Sequence, residues 1–154
     1  MKLAVILTTA LLILVLLGCT QPAVVENKFI QVEGNSICAV DDKPIIRMYS
    51  TTWCPHCQWV KSAFEEVALK YQSEGKIVAK HWELDIKDDT LTPEVEGSVP
   101  SNEQGIFSQF SPKGSVPVFV FGCKYYRIAN QFETQKDLNA EKAEFERIIN
   151  LLLK

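Results

Sequence analysis

Cys54 and Cys57 stand three positions apart where an apolar run gives way to an amphipathic segment, in Trp53-Cys54-Pro55-His56-Cys57. At a strand-to-helix turn such a pair can close a small disulfide ring. The helix N-terminus beneath it offers unpaired N–H groups and a partial positive charge, and both favour a thiolate at Cys54. Thiol–disulfide exchange is the chemistry that this arrangement suits. Zinc sites use the same spacing, so the pair alone leaves a metal site open. A metal needs two further ligands, and the chain has two histidines, His56 and His81. His56 lies inside the ring, where it cannot easily join both sulfurs on one ion. The redox reading therefore calls for no metal and no cofactor, and a copper or zinc carrier is the non-enzymatic alternative.

Within the ring each residue has an expected role. Cys54 precedes the helix and is read as the exposed nucleophile. Cys57, one turn in and partly buried, is the resolving thiol that attacks a mixed disulfide. Pro55 suits the first helical turn, where a missing N–H costs nothing. His56 bears on direction: an imidazole that is protonated or donates N–H to Cys54 stabilises the thiolate, and so the reduced form. A pair so stabilised when reduced donates its disulfide readily. The opposing reading is a solvated His56 with no part in the chemistry. Trp53 is read as an apolar surface for unfolded peptide, with Phe107 and Phe110 either beside it or in the core.

The elements that position these residues can be read from periodicity. Pro44–Ser50 (PIIRMYS) is a buried strand delivering the chain to Cys54. Val60, Ala63, Phe64, Val67, Ala68 and Tyr71 mark one face of a helix that Gly75 ends. Ile77–Leu84 alternates as a second strand, parallel to the first after a right-handed crossover. Asp85–Pro100 reads as a surface loop. Its acids Asp85, Asp88, Asp89, Glu94 and Glu96 lack the ligand spacing of a calcium site. A short helix over Asn102–Phe110 follows, then a strand Val116–Phe121, a turn at Gly122-Cys123 and a hairpin partner Lys124–Ile128. Leu138, Phe145, Ile148, Ile149 and Leu152 line one side of a C-terminal helix.

This β-α-β-α-β-β-α order, the CPHC turn and a Val116-Pro117 at a strand start together resemble the thioredoxin family over about residues 37–154. The motif itself is similar to that of the DsbA-like bacterial disulfide oxidases, without their long helical insertion. The resemblance implies an α/β thioredoxin fold, a central mixed β-sheet flanked by helices. It implies catalysis by Cys54, Pro55, His56 and Cys57, and a cis-Pro117 that faces them and, with Val116, meets a bound peptide. Many thioredoxins carry an acid six residues before the nucleophile, and here that position is Met48. Its loss weakens a reductase reading, while Glu83 and Asp85 are possible substitutes that read as surface charges. Cys38 and Cys123 form a second pair. The strand before Cys54 runs towards the site and the strand after Pro117 runs away from it. Both cysteines thus fall at the opposite pole, where a structural disulfide closing about 85 residues contributes ~4 kcal/mol. Two free thiols are the alternative.

The N-terminus bears on compartment. Met1-Lys2 and the apolar stretch Leu3–Leu17 have the form of an export signal, too short for a comfortable membrane span of ~20 residues. It ends in Leu16-Leu17-Gly18-Cys19, which resembles the lipobox of prokaryotic lipoproteins, with Cys19 the lipidated residue. An uncleaved anchor and a released protein are the alternatives. Residues 1–18 are thus read as a signal, 19–36 as a tether with one short edge strand within Val24–Val32, and 37–154 as the domain. Each reading places the domain outside the cytoplasm, where disulfides persist. With 47% apolar and 23% charged residues the chain suits a packed domain. No basic run suggests nucleic acid. The expected activity is oxidation or isomerisation of cysteine-containing protein substrates, with a membrane redox partner restoring the disulfide. The enzymatic alternative is a membrane-tethered reductase for cytochrome c maturation or disulfide repair.

Overall fold

A computed structural model describes residues 27–154. The leader, Cys19 and the first part of the tether lie outside the described residues. Ten elements follow: β1 (Ile30–Gln31), β2 (Ala39–Val40), β3 (Lys43–Ser50), α1 (Pro55–Ser73), β4 (Val78–Glu83), β5 (Asp88–Asp89), α2 (Ser101–Phe110), β6 (Val118–Phe121), β7 (Tyr125–Ile128) and α3 (Leu138–Leu152). They make an α/β unit on a mixed sheet of order β1-β7-β6-β3-β4-β5, with β2 paired to β3. The expected order holds for the long elements, and β1, β2 and β5 are two-residue strands added at the margins.

β3 is the central strand because its side chains are apolar or neutralised on both faces, and all but Lys43 are buried. It runs parallel to β4 through the α1 crossover and antiparallel to β6. Alternation then divides the core. Ile46 and Met48 of β3 join Phe119 and Phe121 of β6 beneath α1 and α3. Tyr49, Val118 and Val120 face the other way, with Phe110 of α2. Phe145 of α3 meets Phe64 edge-on at 5.8 Å and Phe119 at 4.9 Å, locking α1 and α3 to the sheet.

The short edge strand expected within Val24–Val32 is present, and one expectation about loops changes. The edge strand is Ile30–Gln31, paired with Tyr125 and Tyr126 of β7. It brings Phe29 to 4.9 Å from Phe121, so packed chain precedes residue 37. The acidic loop after β4 is not simply solvated, since Asp89 is 2% exposed. Its carboxylate accepts from the backbone N–H of His81 at 2.8 Å and of Leu91 at 3.2 Å. Glu96 accepts from the N–H of Asp89 at 2.9 Å. A segment with little sheet pairing must satisfy its buried N–H groups in some way, and here acidic side chains do so.

Candidate active site

α1 starts at Pro55, in the first-turn position, and Cys54 is its N-cap. The Cys54 Sγ accepts from the backbone N–H of Cys57 at 3.3 Å, so the sulfur occupies the place of a capping oxygen. The turn above is held from the side: Thr52 N–H donates to Asp85 at 3.0 Å, and Gln58 Nε2 donates to the Thr52 carbonyl at 2.6 Å. Both thiols are free. The Val116–Pro117 peptide bond is cis, the geometry the resemblance implies, and the Val116 carbonyl lies 4.0 Å from Cys54 Sγ.

The exposed nucleophile needs correcting. Cys54 is only 5% exposed, because the Val116-Pro117 segment closes over it and its sulfur is drawn into the cap. Trp53 beside it is 72% exposed. Cys57 is buried, and its thiol is pushed up to about 12, first by burial and then by its hydrogen bond with Cys54. Cys57 therefore keeps its proton at neutral pH.

His56 differs from its expected geometry. Its Nδ1–H donates to the Glu133 carboxylate, at 2.9 Å to Oε1 and 3.0 Å to Oε2. Asn130, 5% exposed, donates through Nδ2 to the His56 carbonyl and to Glu133 Oε2, both at 2.8 Å. The loop carrying these residues is anchored from below. The buried Glu141 of α3 accepts from the N–H groups of Gln131 at 2.6 Å and Phe132 at 2.8 Å, and from Arg127 Nη2 at 2.6 Å. His56, Asn130 and Glu133 line a cleft of about 380 Å³ that also includes Val116 and Pro117. Glu133 and Asn130 escape sequence reasoning because they lie more than 70 residues beyond His56 in a segment with no motif.

Glu83 is no surface charge. It is 7% exposed and sits on the α1 side of β4, where Lys61 Nζ meets it at 2.8 Å. Burial opposes the Lys61 charge, but the bond to Glu83 outweighs it and raises Lys61 overall. One turn further, Glu65 meets His81 Nδ1 at 2.8 Å, and the other ring nitrogen meets Ser50 Oγ at 2.7 Å. Cys57, Lys61 and Glu65 recur every fourth residue and so share one helix face. Met48, six residues before Cys54, is buried apolar surface in the core.

Cys38 and Cys123 form a disulfide, with Cα atoms 5.4 Å apart, between the start of β2 and the β6–β7 turn. Phe107 packs on Tyr49 and Phe110 on Tyr126, which places both in the α2 core. Among the described residues no group of three or more His, Cys, Asp and Glu side chains could hold a metal ion. What stands here is an α/β domain with a dithiol at a helix N-terminus, opposed by a cis-proline. Comparison with protein families, with characterised proteins and with solved structures finds no match to this chain.

Proposed function

We propose that this chain is an extracytoplasmic thiol–disulfide oxidoreductase of thioredoxin type that oxidises or isomerises cysteines in protein substrates. The observation that carries the reading is Cys54 as helix cap, its sulfur held by the Cys57 N–H and facing the carbonyl before a cis-proline. In the cycle, a substrate thiolate attacks Cys54 of the oxidised pair. The Cys54–Cys57 bond breaks, and Cys57 takes up a proton, as its raised affinity favours. A second substrate thiolate then attacks the substrate sulfur of the mixed disulfide and releases Cys54. Two electrons pass from the substrate dithiol to the enzyme pair.

The cis-proline segment leaves the backbone of Val116 beside Cys54, where an extended peptide can pair with it, and the exposed Trp53 supplies apolar surface. A membrane redox partner would reoxidise the pair, with attachment through Cys19 keeping the two close. The test is a titration of Cys54–Cys57 against glutathione, together with refolding of reduced, scrambled ribonuclease. An oxidase holds its pair more oxidising than glutathione and regains ribonuclease activity. A pair more reducing than about −270 mV, the thioredoxin range, instead marks a reductase.

A further inference from the structure

We propose that Glu133 sets how strongly the Cys54–Cys57 pair draws electrons, by offsetting the positive charge that a protonated His56 would present to Cys54. The inference rests on the redox reading above. His56 lies two positions from Cys54, inside the ring, and its Nδ1–H is committed to both oxygens of Glu133. The carboxylate is not a swinging surface acid. Asn130, almost wholly buried, grips Glu133 Oε2 and the His56 carbonyl with the same amide nitrogen. Asn27 donates to the Asn130 carbonyl at 3.0 Å. Behind this, Glu141 holds the two backbone N–H groups that precede Glu133. Such a chain of contacts fixes the anion against the imidazole before any substrate arrives.

Its chemical consequence follows from charge. An imidazolium stabilises a Cys54 thiolate and so favours the reduced pair. A carboxylate against the same ring cancels much of that field, because the ion pair seen from Cys54 is nearly neutral. The reduced form is then less favoured than the CPHC sequence alone implies. Glu133 acts through His56, which makes it a positioning residue rather than a group touching the reacting sulfurs. His56 is 63% exposed and Glu133 31%, so solvent limits the effect to that of a surface pair. About threefold in an equilibrium constant is the expected size, or about 14 mV for two electrons.

The reaction to follow is protein disulfide plus two glutathione thiols giving protein dithiol plus glutathione disulfide. It is measured for the wild type, Glu133→Gln, Glu133→Lys, His56→Ala and His56→Ala with Glu133→Gln. Glutamine keeps an acceptor oxygen for Nδ1–H but removes the charge. The expected result is a shift towards dithiol of about threefold for glutamine and more for lysine. In the His56→Ala background the glutamine shift disappears. An unshifted Glu133→Gln, or an equal shift in both backgrounds, overturns the inference and leaves the redox reading intact. A wild-type pair that never exchanges with glutathione overturns both.

Discussion

Cys57 carries the most testable single-residue property. Its thiol is pushed up to about 12 by burial and by Cys54, whereas in the unfolded chain it ionises near the ordinary thiol value of about 8.5. Between those values the unfolded state has lost a proton that the folded state keeps. Stability of the reduced protein therefore falls as pH rises through that window. The buried Tyr49 is also pushed up, chiefly by burial and then by Glu103, and adds a similar loss. Tyr49 packs in the other core layer from the dithiol and is common to both redox forms, however, whereas Cys57 within a disulfide does not titrate. Melting temperatures should thus drop more steeply for the reduced than for the oxidised protein from pH 9 to 11. Parallel curves would show that Cys57 ionises normally in the fold. On the proposed function Cys54 is the exchanging sulfur, so a Cys54→Ser variant, which keeps only the buried Cys57, should lose exchange with glutathione.

At the scale of elements, β7 and α3 build half of the site although neither contains a motif. Arg127 of β7 is buried, and burial pulls its guanidinium down although Glu141 opposes this. It lies over the rings of Phe119 at 4.7 Å, Phe29 at 4.9 Å and Phe145 at 5.1 Å. Glu141 answers Arg127 with one oxygen and holds the Gln131–Phe132 backbone with the other, so the ion pair also positions the loop bearing Glu133. Phe29, ahead of β1, closes this cluster. A Phe29→Ala variant should lose about 2–3 kcal/mol in urea denaturation, below the ~3–5 kcal/mol of a fully buried Phe because its ring is half-buried. A loss under about 0.5 kcal/mol would return residues 27–32 to the tether.

Across the whole molecule the two cysteine pairs sit at opposite ends of the sheet. The Cys38–Cys123 bond spans 85 residues and so constrains most of the described chain when it unfolds. Gly122 and Cys123, both with φ near +60°, make the tight β6–β7 turn that presents one of its sulfurs. A Cβ at 122 would lie 2.9 Å from a Leu152 methyl, which would have to shift, and the positive φ strains any side chain placed there. Replacing Cys38 and Cys123 together by serine should cost up to ~4 kcal/mol in urea denaturation. The glutathione equilibrium of Cys54–Cys57 should stay within twofold of wild type. A large change in that equilibrium would mean that the two pairs are coupled through the fold.

Much of this protein was legible in residue order. The i, i+3, i+4 face from Val60 to Tyr71 specifies α1, since only a helix gathers those side chains onto one stripe. The alternation in Ile77–Leu84 and the Gly122-Cys123 turn similarly specify β4 and the β6–β7 hairpin, and the spacing of Cys54 and Cys57 marks the dithiol. These are short-range patterns, governed by backbone geometry within a few residues. Tertiary packing alone decided that Cys54 is covered, that Glu83 is buried against Lys61 and that His56 donates to Glu133. Each depends on segments far apart in the chain, and the burial that makes a charge matter arises only when those segments close on one another.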